Sequence, residues 1–275
     1  LARRTPVSDA VAVARAVMVL ATAVALSVVG APVHAQSLAS RVSSIGDGSA
    51  QLRFASRPGV CGDGRGSIGT GSHSFMRRYS SDNGYSDNWC APGPVRVVLT
   101  VRGGSVSRAH VFVGGNDSSS DVSDLGTVGS REAADYLLAL AQRAGSGVGD
   151  DAILAVVLAD SVTPWSSLLS MARDDNVPRG TRGSAAFWLS RAAAAEVNHR
   201  PLFGERDEAE SEKDEVRSAA IFALSQQPHD EGVPALIRVA RGSSAPAARD
   251  RALFWLGQSG DPRALDLFAE LLVVR

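Results

Sequence analysis

The sequence has little excess charge of either sign. Its 28 basic and 29 acidic residues leave a formal net charge of −1 over 275 residues. This balance provides no basic field for nucleic acid, so we expect no nucleic-acid partner. Only one basic residue, Lys213, is a lysine. The remaining composition, 44% hydrophobic and 21% charged, is typical of a globular chain with one or two domains.

Residues that carry metal or catalytic chemistry are scarce. There are two cysteines and five histidines, whereas a structural zinc site needs about four ligands at paired spacing. Neither G-x-S-x-G nor H-E-x-x-H occurs, and no Ser/His/Asp arrangement can be assigned. The G-x-G-x-x-G run at Gly64–Gly69 lacks the helix pattern that a dinucleotide fingerprint requires after it. The sequence therefore indicates no catalytic residue, no metal and no cofactor.

Cys61 and Cys90 are the only thiols. An even number of cysteines in an oxidising compartment favours a disulfide, and this one would close a loop of about 30 residues and contribute about 3.5 kcal/mol. A redox-active pair is the alternative, although the spacing is far from C-x-x-C. We therefore expect a structural Cys61–Cys90 bond.

The N-terminal 35 residues resemble a secretory signal peptide. Arg3, Arg4 and Arg15 form a positive region, residues 16–29 are uncharged and apolar, and V-H-A at residues 33–35 is a small-residue cleavage site. The apolar run is short for a membrane span, with an uncleaved anchor as the alternative. We expect a bacterial protein, periplasmic or secreted, that meets the membrane only through this segment before cleavage.

Residues 36–128 have the pattern of a small β-rich domain. Val95–Val101 and Ser107–Val113 alternate in hydrophobicity and are rich in β-branched residues, and Gly103-Gly104 between them indicates a hairpin. Ala50–Ser56 is a weaker strand, and Gly71–Tyr79 is a possible fourth. Because so few strands make a thin core, we expect the disulfide to stabilise this domain.

From residue 129 the period becomes that of helices, and one phrase recurs. It reads RGSAAFWLSRA from Arg182, RSAAIFALSQQ from Arg217 and RALFWLGQSG from Arg251. The phrases align on Leu158, Leu189, Leu224 and Leu256, and the last three leucines follow Ala185, Ala220 and Ala252 by one helical turn. Second helices are predicted at Trp165–Arg173, Val233–Arg241 and Arg263–Leu272. The unit is a helix pair of about 32 residues, repeated about four times, that buries its apolar face by stacking.

These units resemble HEAT-like repeats of the short bacterial type. The shared pattern is an arginine, an alanine-rich first helix, a leucine, a Gly-Asp-Pro-like turn and an apolar second helix, and it covers about residues 150–275. The resemblance implies a mainly α fold, with a C-terminal α-solenoid over residues 129–275 after the β-rich domain. It also implies a protein that binds other proteins and usually has no active site.

The second unit departs from the pattern because no clean second helix follows Leu189. An acidic run from Glu205 to Glu215 stands there instead, and its composition favours a solvated loop. In the sequence, Leu224 has a full unit on both sides, and Leu256 lies in the terminal unit. We therefore expect Leu224 to be the more heavily packed of the two leucines.

Two functional hypotheses follow from the sequence. The first is an exported, non-enzymatic scaffold that binds an unidentified protein through charged residues of the second helices. Its contact residues are Arg173, Arg238, Arg241, Asp266 and Glu270. The second is a small-ligand or enzymatic site in the β-rich domain, within the loop between the cysteines. Its residues are Arg65, His73, Arg77, Arg78 and Asp82.

Overall fold

The computed structural model describes residues 36–70, 73–77, 90–115, 121–203 and 212–273, with the backbone alone for residues 73–77, 146 and 212–214. All of these belong to one compact unit, residues 36–275. The predicted signal peptide and most of the acidic run lie outside the described residues. The strands give way to helices between Thr127 and Ser130.

Three of the four strands in the larger sheet of the described residues were predicted from the sequence, and the predicted strand within Gly71–Tyr79 is found in the smaller sheet. The larger sheet comprises β1 (Gly48–Phe54), β5 (Val95–Arg102), β6 (Ser105–Val113) and β7 (Val122–Thr127), and the smaller sheet comprises β2 (Cys61–Gly62), β3 (Ser67–Thr70) and β4 (His73–Arg77). The order in the larger sheet is β6-β5-β1-β7, antiparallel except for the parallel pair β1–β7. Gly103 and Gly104 form the β5–β6 turn with φ of 55° and 73°, as the hairpin prediction required.

One face of this sheet is the core of the β-rich part. Leu52, Phe54 and Leu99 are fully buried, in alternation with more exposed neighbours on the same strands. Helix α3 (Ser146–Leu158) packs against β6, and α2 (Ser130–Arg143) packs against α3. Because α3 is covered by sheet and helices together, its sequence from residue 152 to 158 is apolar and buried throughout. A short helix, α1 (Leu38–Ser43), contacts α2.

Arg57 joins the sheet to the helices. It follows β1, and its backbone N–H donates to the carbonyl of Leu158 at 2.8 Å. Its Nε donates to the carbonyl of Val157 at 2.7 Å, and its Nη2 donates to the carbonyl of Val162. These carbonyls stand at or just beyond the C-terminus of α3, where a cation also meets the negative end of the helix dipole. The arginine therefore stabilises the end of α3 and fixes it to β1.

The remaining described helices form the repeat region. They are α4 (Trp165–Arg173), α5 (Arg179–Val197), α6 (Glu212–Ser225), α7 (His229–Gly242), α8 (Pro246–Ser259) and α9 (Pro262–Leu272). The predicted second helices are thus present as α4, α7 and α9. Residues 212–215, predicted as part of a solvated loop, instead form the first turn of α6.

Most repeat positions are buried as the alignment predicted. Leu158, Leu189 and Leu256 are at most 1% exposed, and so are Ala185 and Ala252. Helix α6 is the exception: Leu224 is only half-buried, and Ala220 is exposed. The phrase therefore specifies a helix in every unit, but part of the surface of α6 is left uncovered by the residues that the structure describes.

The repeat helices do not stack in chain order. Helices α3 and α5 pack against each other, and Gly149 and Thr181, about one repeat length apart, touch near the N-terminal ends of the two helices. The two helices therefore lie parallel. Helices α6 and α8 likewise bring Phe222 and Trp255 together, with ring centroids 5.2 Å apart. The extensive contacts of α8 within the described residues are with α5 on one side and with α6 and α7 on the other. We call the helices that carry the aligned leucines of the repeat the phrase helices. In space, the row of phrase helices therefore runs α3, α5, α8, α6.

Helices α5 and α8 meet in opposite directions. Ser190, within α5, lies against Gly257 near the C-terminal end of α8, and Asn198, just after α5, donates to Asp250 near the start of α8 at 2.5 Å. The α5–α8 contact thus joins two parallel helix pairs head to tail. The expectation that Leu224 lies centrally and Leu256 terminally is wrong, because the last phrase helix is inserted between α5 and α6.

Candidate protein-binding surface

The five predicted contact residues lie together on one side of the repeat region. Four of them line an open groove of about 420 Å³ between α7 and α9. The groove is lined by Pro234, Ile237, Arg238, Arg241, Arg263, Asp266, Leu267 and Glu270. On both helices these residues follow i, i+3, i+4, i+7 spacing, which places them on one face of each helix. The fifth residue, Arg173 on α4, reaches the groove from the other side of α9.

Ion pairs join the helices across this face. Arg173 Nη2 lies 2.7 Å from Asp266 Oδ1 and connects α4 to α9, and Arg241 pairs with Glu270 to connect α7 to α9. All four side chains are between 46% and 69% exposed. Exposed pairs of this kind contribute about 0–1 kcal/mol each. Their main effect is to hold charged groups in fixed positions above the apolar side chains of Ile237 and Leu267.

Arg238 differs from the other groove cations. It is exposed, and it has no hydrogen bond or ion pair with any residue that the structure describes. Its charge is therefore available to an acidic group from outside, whereas the charges of Arg241 and Arg173 are already matched. Of the predicted contact residues, Arg238 is the one best placed to attract a carboxylate.

Arg263 closes one end of the groove and was not among the predicted contact residues. Asp261 is the N-cap of α9 and accepts from the Arg263 N–H and Nε, each at 2.9 Å, and from Arg263 Nη2 at 2.7 Å. Arg263 Nη2 also donates to the carbonyl of His229 at 2.6 Å, at the start of α7. Its position three residues before Asp266 on the same helix face was the signal that could have identified it.

The same contact governs the titration of Asp261. Hydrogen bonding from the Arg263 side chain is the largest influence and holds the pKa of the Asp261 carboxyl below its ordinary value, although burial acts in the opposite direction. Asp261 is therefore charged at neutral pH, which suits an N-cap at the positive end of a helix dipole. The charge fixes both the start of α9 and the Arg263 side chain.

The β-rich part contains the predicted disulfide, Cys61–Cys90. Beside it, the Gly64–Gly69 run comprises part of the turn between β2 and β3 and the first residues of β3, and is not a strand-to-helix loop. The Asp63 carboxylate accepts from the N–H groups of Arg65, Gly66 and Ser67 at 2.8 to 2.9 Å. A side chain of the protein thus occupies the backbone donors that a phosphate would need. A disulfide also indicates a non-cytoplasmic environment.

The alternative site between the cysteines is only partly described. Arg65 is exposed on the β2–β3 turn, and the backbones of His73 and Arg77 belong to β4. Arg78 and Asp82 lie outside the described residues, so the grouping of these side chains stays a prediction. Among the described residues, no cluster of His, Cys, Asp or Glu side chains could hold a metal ion.

Comparison with known proteins supports the repeat assignment. The sequence profile of HEAT repeats matches residues 206–274, the segment that contains α6 to α9. No curated protein and no solved structure matches the chain. HEAT repeats are typical of protein-interaction scaffolds, in which stacked helix pairs present an extended binding surface. In the part of the chain that the structure describes, no helix is long and apolar enough to cross a membrane.

Proposed function

We propose that this protein is an exported, non-enzymatic scaffold that binds another protein through the groove between α7 and α9. The observation that carries the proposal is the grouping of Arg173, Arg238, Arg241, Asp266 and Glu270 along one exposed face of the HEAT-matched region. A rim of charge around an apolar floor is the usual arrangement of a non-obligate protein interface.

Arg238 supplies the specificity of this surface. Since Arg241 and Arg173 are paired with acidic residues of α9, a partner gains most by placing a carboxylate at Arg238. The half-buried side chain of Ile237 lies between the charged rows, above the buried Leu267, and receives the apolar residue beside that carboxylate. The partner segment is therefore expected to combine acidic and aliphatic residues.

Export is supported by two separate features. The disulfide needs an oxidising compartment to form and persist, and the N-terminal sequence has the parts of a signal peptide. Fractionation of the native host tests this directly. The chain recovered from the periplasm or medium should have the intact mass of a protein that begins at Gln36; a chain confined to the cytosol would contradict export.

The binding surface is tested by co-purification with matched charge reversals. Wild-type protein, Arg238→Glu and Arg102→Glu are each used to capture partners from periplasmic extract. Arg102 is also an exposed arginine but lies at the end of β5, outside the α7–α9 groove. A partner held by wild type and Arg102→Glu but lost with Arg238→Glu supports the proposal. Equal retention by all three variants, or a hydrolase activity in the purified protein, would contradict it.

A further inference from the structure

The outer face of α6 is apolar and exposed, although most of the equivalent positions are buried in α5 and two of them are buried in α8. This outer face consists of Val216, Ala219, Ala220 and Ala223, and Val216 is 66% exposed. Of the large hydrophobic side chains that the structure describes, those most exposed are Val216, Phe222 and Val273, so two of them belong to this one helix. Such a concentration on a soluble surface indicates an interaction site.

The repeat shows what normally covers these positions. Val216, Ala220 and Ala223 of α6 correspond to three residues of α5 that are at most 7% exposed: Thr181, Ala185 and Trp188. In α8 the corresponding Ala248 and Ala252 are at most 6% exposed, and Trp255 is half-buried. On α5 the cover is α3, which brings Gly149 against Thr181, and on α8 it is α6, which brings Phe222 against Trp255. Both covering helices lie parallel to the helix that they cover.

The chemistry of the missing cover follows from these two contacts. Small residues permit close approach of the backbones, as an added Cβ at Gly149 would lie 2.3 Å from Thr181 Oγ1. The outer face of α6 carries three alanines and therefore admits an equally close helix. Phe222, 48% exposed, stands at the border of this face and offers a further apolar contact. The geometry fits one amphipathic helix with small and aliphatic residues on its buried side.

A second copy of this chain cannot supply that helix by repeat stacking. In each covering pair, α3 and α6 pack through equivalent sides against α5 and α8, respectively. Within the described region, that side is already in contact with a neighbour in every phrase helix. Helices α5 and α8 use this side on each other, where Ser190 meets Gly257. In α6 this side carries Phe222, which meets Trp255, and beside it Ile221, which is only 5% exposed. Repeat stacking therefore leaves no helix of a second copy to cover this face, which favours a helix from a different protein.

We propose that the outer face of α6 docks one amphipathic helix of a partner protein, laid parallel to α6 as α3 lies on α5. This site stands at the free end of the helix row and is separate from the groove between α7 and α9. It does not depend on the function proposed for that groove. A scaffold with both surfaces holds two partner segments at once.

A peptide of residues 212–227 is the probe for this site, because this segment forms α6, which covers the equivalent face of α8 in the folded chain. The acetylated, amidated and fluorescently labelled peptide is titrated with the purified protein, and binding is followed by anisotropy. Wild type should give saturable binding. Ala220→Glu places a charge in the centre of the outer face and should weaken binding about tenfold or more. Ala247→Glu, at an exposed alanine of α8, is the matched control and should bind as wild type does.

Three results would overturn the proposal. They are the absence of saturable binding to wild type, equal binding to wild type and Ala220→Glu, and equal binding of a peptide that carries Ile221→Glu. This last comparison uses wild-type protein, so it holds even if Ala220→Glu fails to fold. A dimer in sedimentation velocity that Ala220→Glu dissociates would show that a second copy covers the face, and would also overturn the assignment to a different protein.

Discussion

Gly257 of α8 lies against Ser190 of α5 so closely that a Cβ added to the glycine would stand 2.7 Å from the Ser190 Cβ. The two residues occupy the same position in their repeats. The contact between them is the point where the two parallel helix pairs meet head to tail, and it has no room for a side chain on α8.

Gly257→Ala should therefore destabilise the protein by about 1–3 kcal/mol, because the added methyl group forces the two helices apart. Gly183→Ala is the control: it lies within α5, and an added Cβ there meets nothing within 4 Å. That change should stabilise the protein slightly, by up to about 1 kcal/mol, since alanine favours a helix. Urea unfolding followed by circular dichroism measures both. Equal effects would show that the α5–α8 contact is looser than described.

The order of the helices predicts unequal effects for two equivalent leucines. Leu256 is 1% exposed between α5 and α6, so Leu256→Ala should cost about 2–5 kcal/mol of unfolding free energy. Leu224 is half-buried at the end of the row, so Leu224→Ala should cost clearly less. The same unfolding experiment compares them. A larger loss at Leu224 would indicate stacking in chain order after all.

Loss of the disulfide should destabilise the β-rich part. Cys61→Ser removes a bond that closes 29 residues and should lower the unfolding free energy by about 2–4 kcal/mol. The helical circular dichroism signal, which comes mainly from the repeat region, should be retained in the folded variant. Mass spectrometry without reductant should find no free thiol in the exported protein; alkylation of both cysteines under those conditions would refute the bond.

Asp261 predicts a stability difference that depends on pH. Its pKa in the folded protein is lowered, chiefly by Arg263, so its charge stabilises the fold above the unfolded pKa of about 4, and this contribution is lost as the pH falls through the folded pKa. Asp261→Asn keeps an N-cap oxygen but removes the charge. The variant should be less stable than wild type at pH 7, and the difference should shrink towards pH 3. A difference that is independent of pH would exclude the charge as its cause.

Much of the local structure could be predicted from the sequence. Alternation in Val95–Val101 and Ser107–Val113, with glycines between them, identified the β5–β6 hairpin because pattern and turn agree within a short segment. The repeated phrases identified the helices because the spacing of the alanines and leucines is also a local pattern. The strand β7 was missed because residues 122–127 contain Asp124 and Gly126 and show no regular alternation.

The order of the helices in space could not be predicted. Equivalent phrases present similar faces, so α5 could be followed by α6 or by α8 with nearly the same side-chain chemistry. The choice depends on details such as glycine in place of serine at position 257, which admits the close contact with Ser190. Of the proposed binding surface, the charged residues of α4, α7 and α9 were predicted from the sequence, and Arg263 was not. The sequence did not reveal which of these residues form ion pairs, because the pairs depend on which helices are neighbours in space.

The insertion of α8 between α5 and α6 has a consequence for biosynthesis. A chain emerges from the ribosome in sequence order, so α6 and α7 are complete before the helix that joins them to α5 has been made. Until α8 arrives, both the Ser190 side of α5 and the Ile221 side of α6 present apolar surface to their surroundings. Helix α8, which completes the middle of the row, is thus made after the helices on both sides of it. Until then the incomplete chain exposes apolar surface that favours aggregation or chaperone binding.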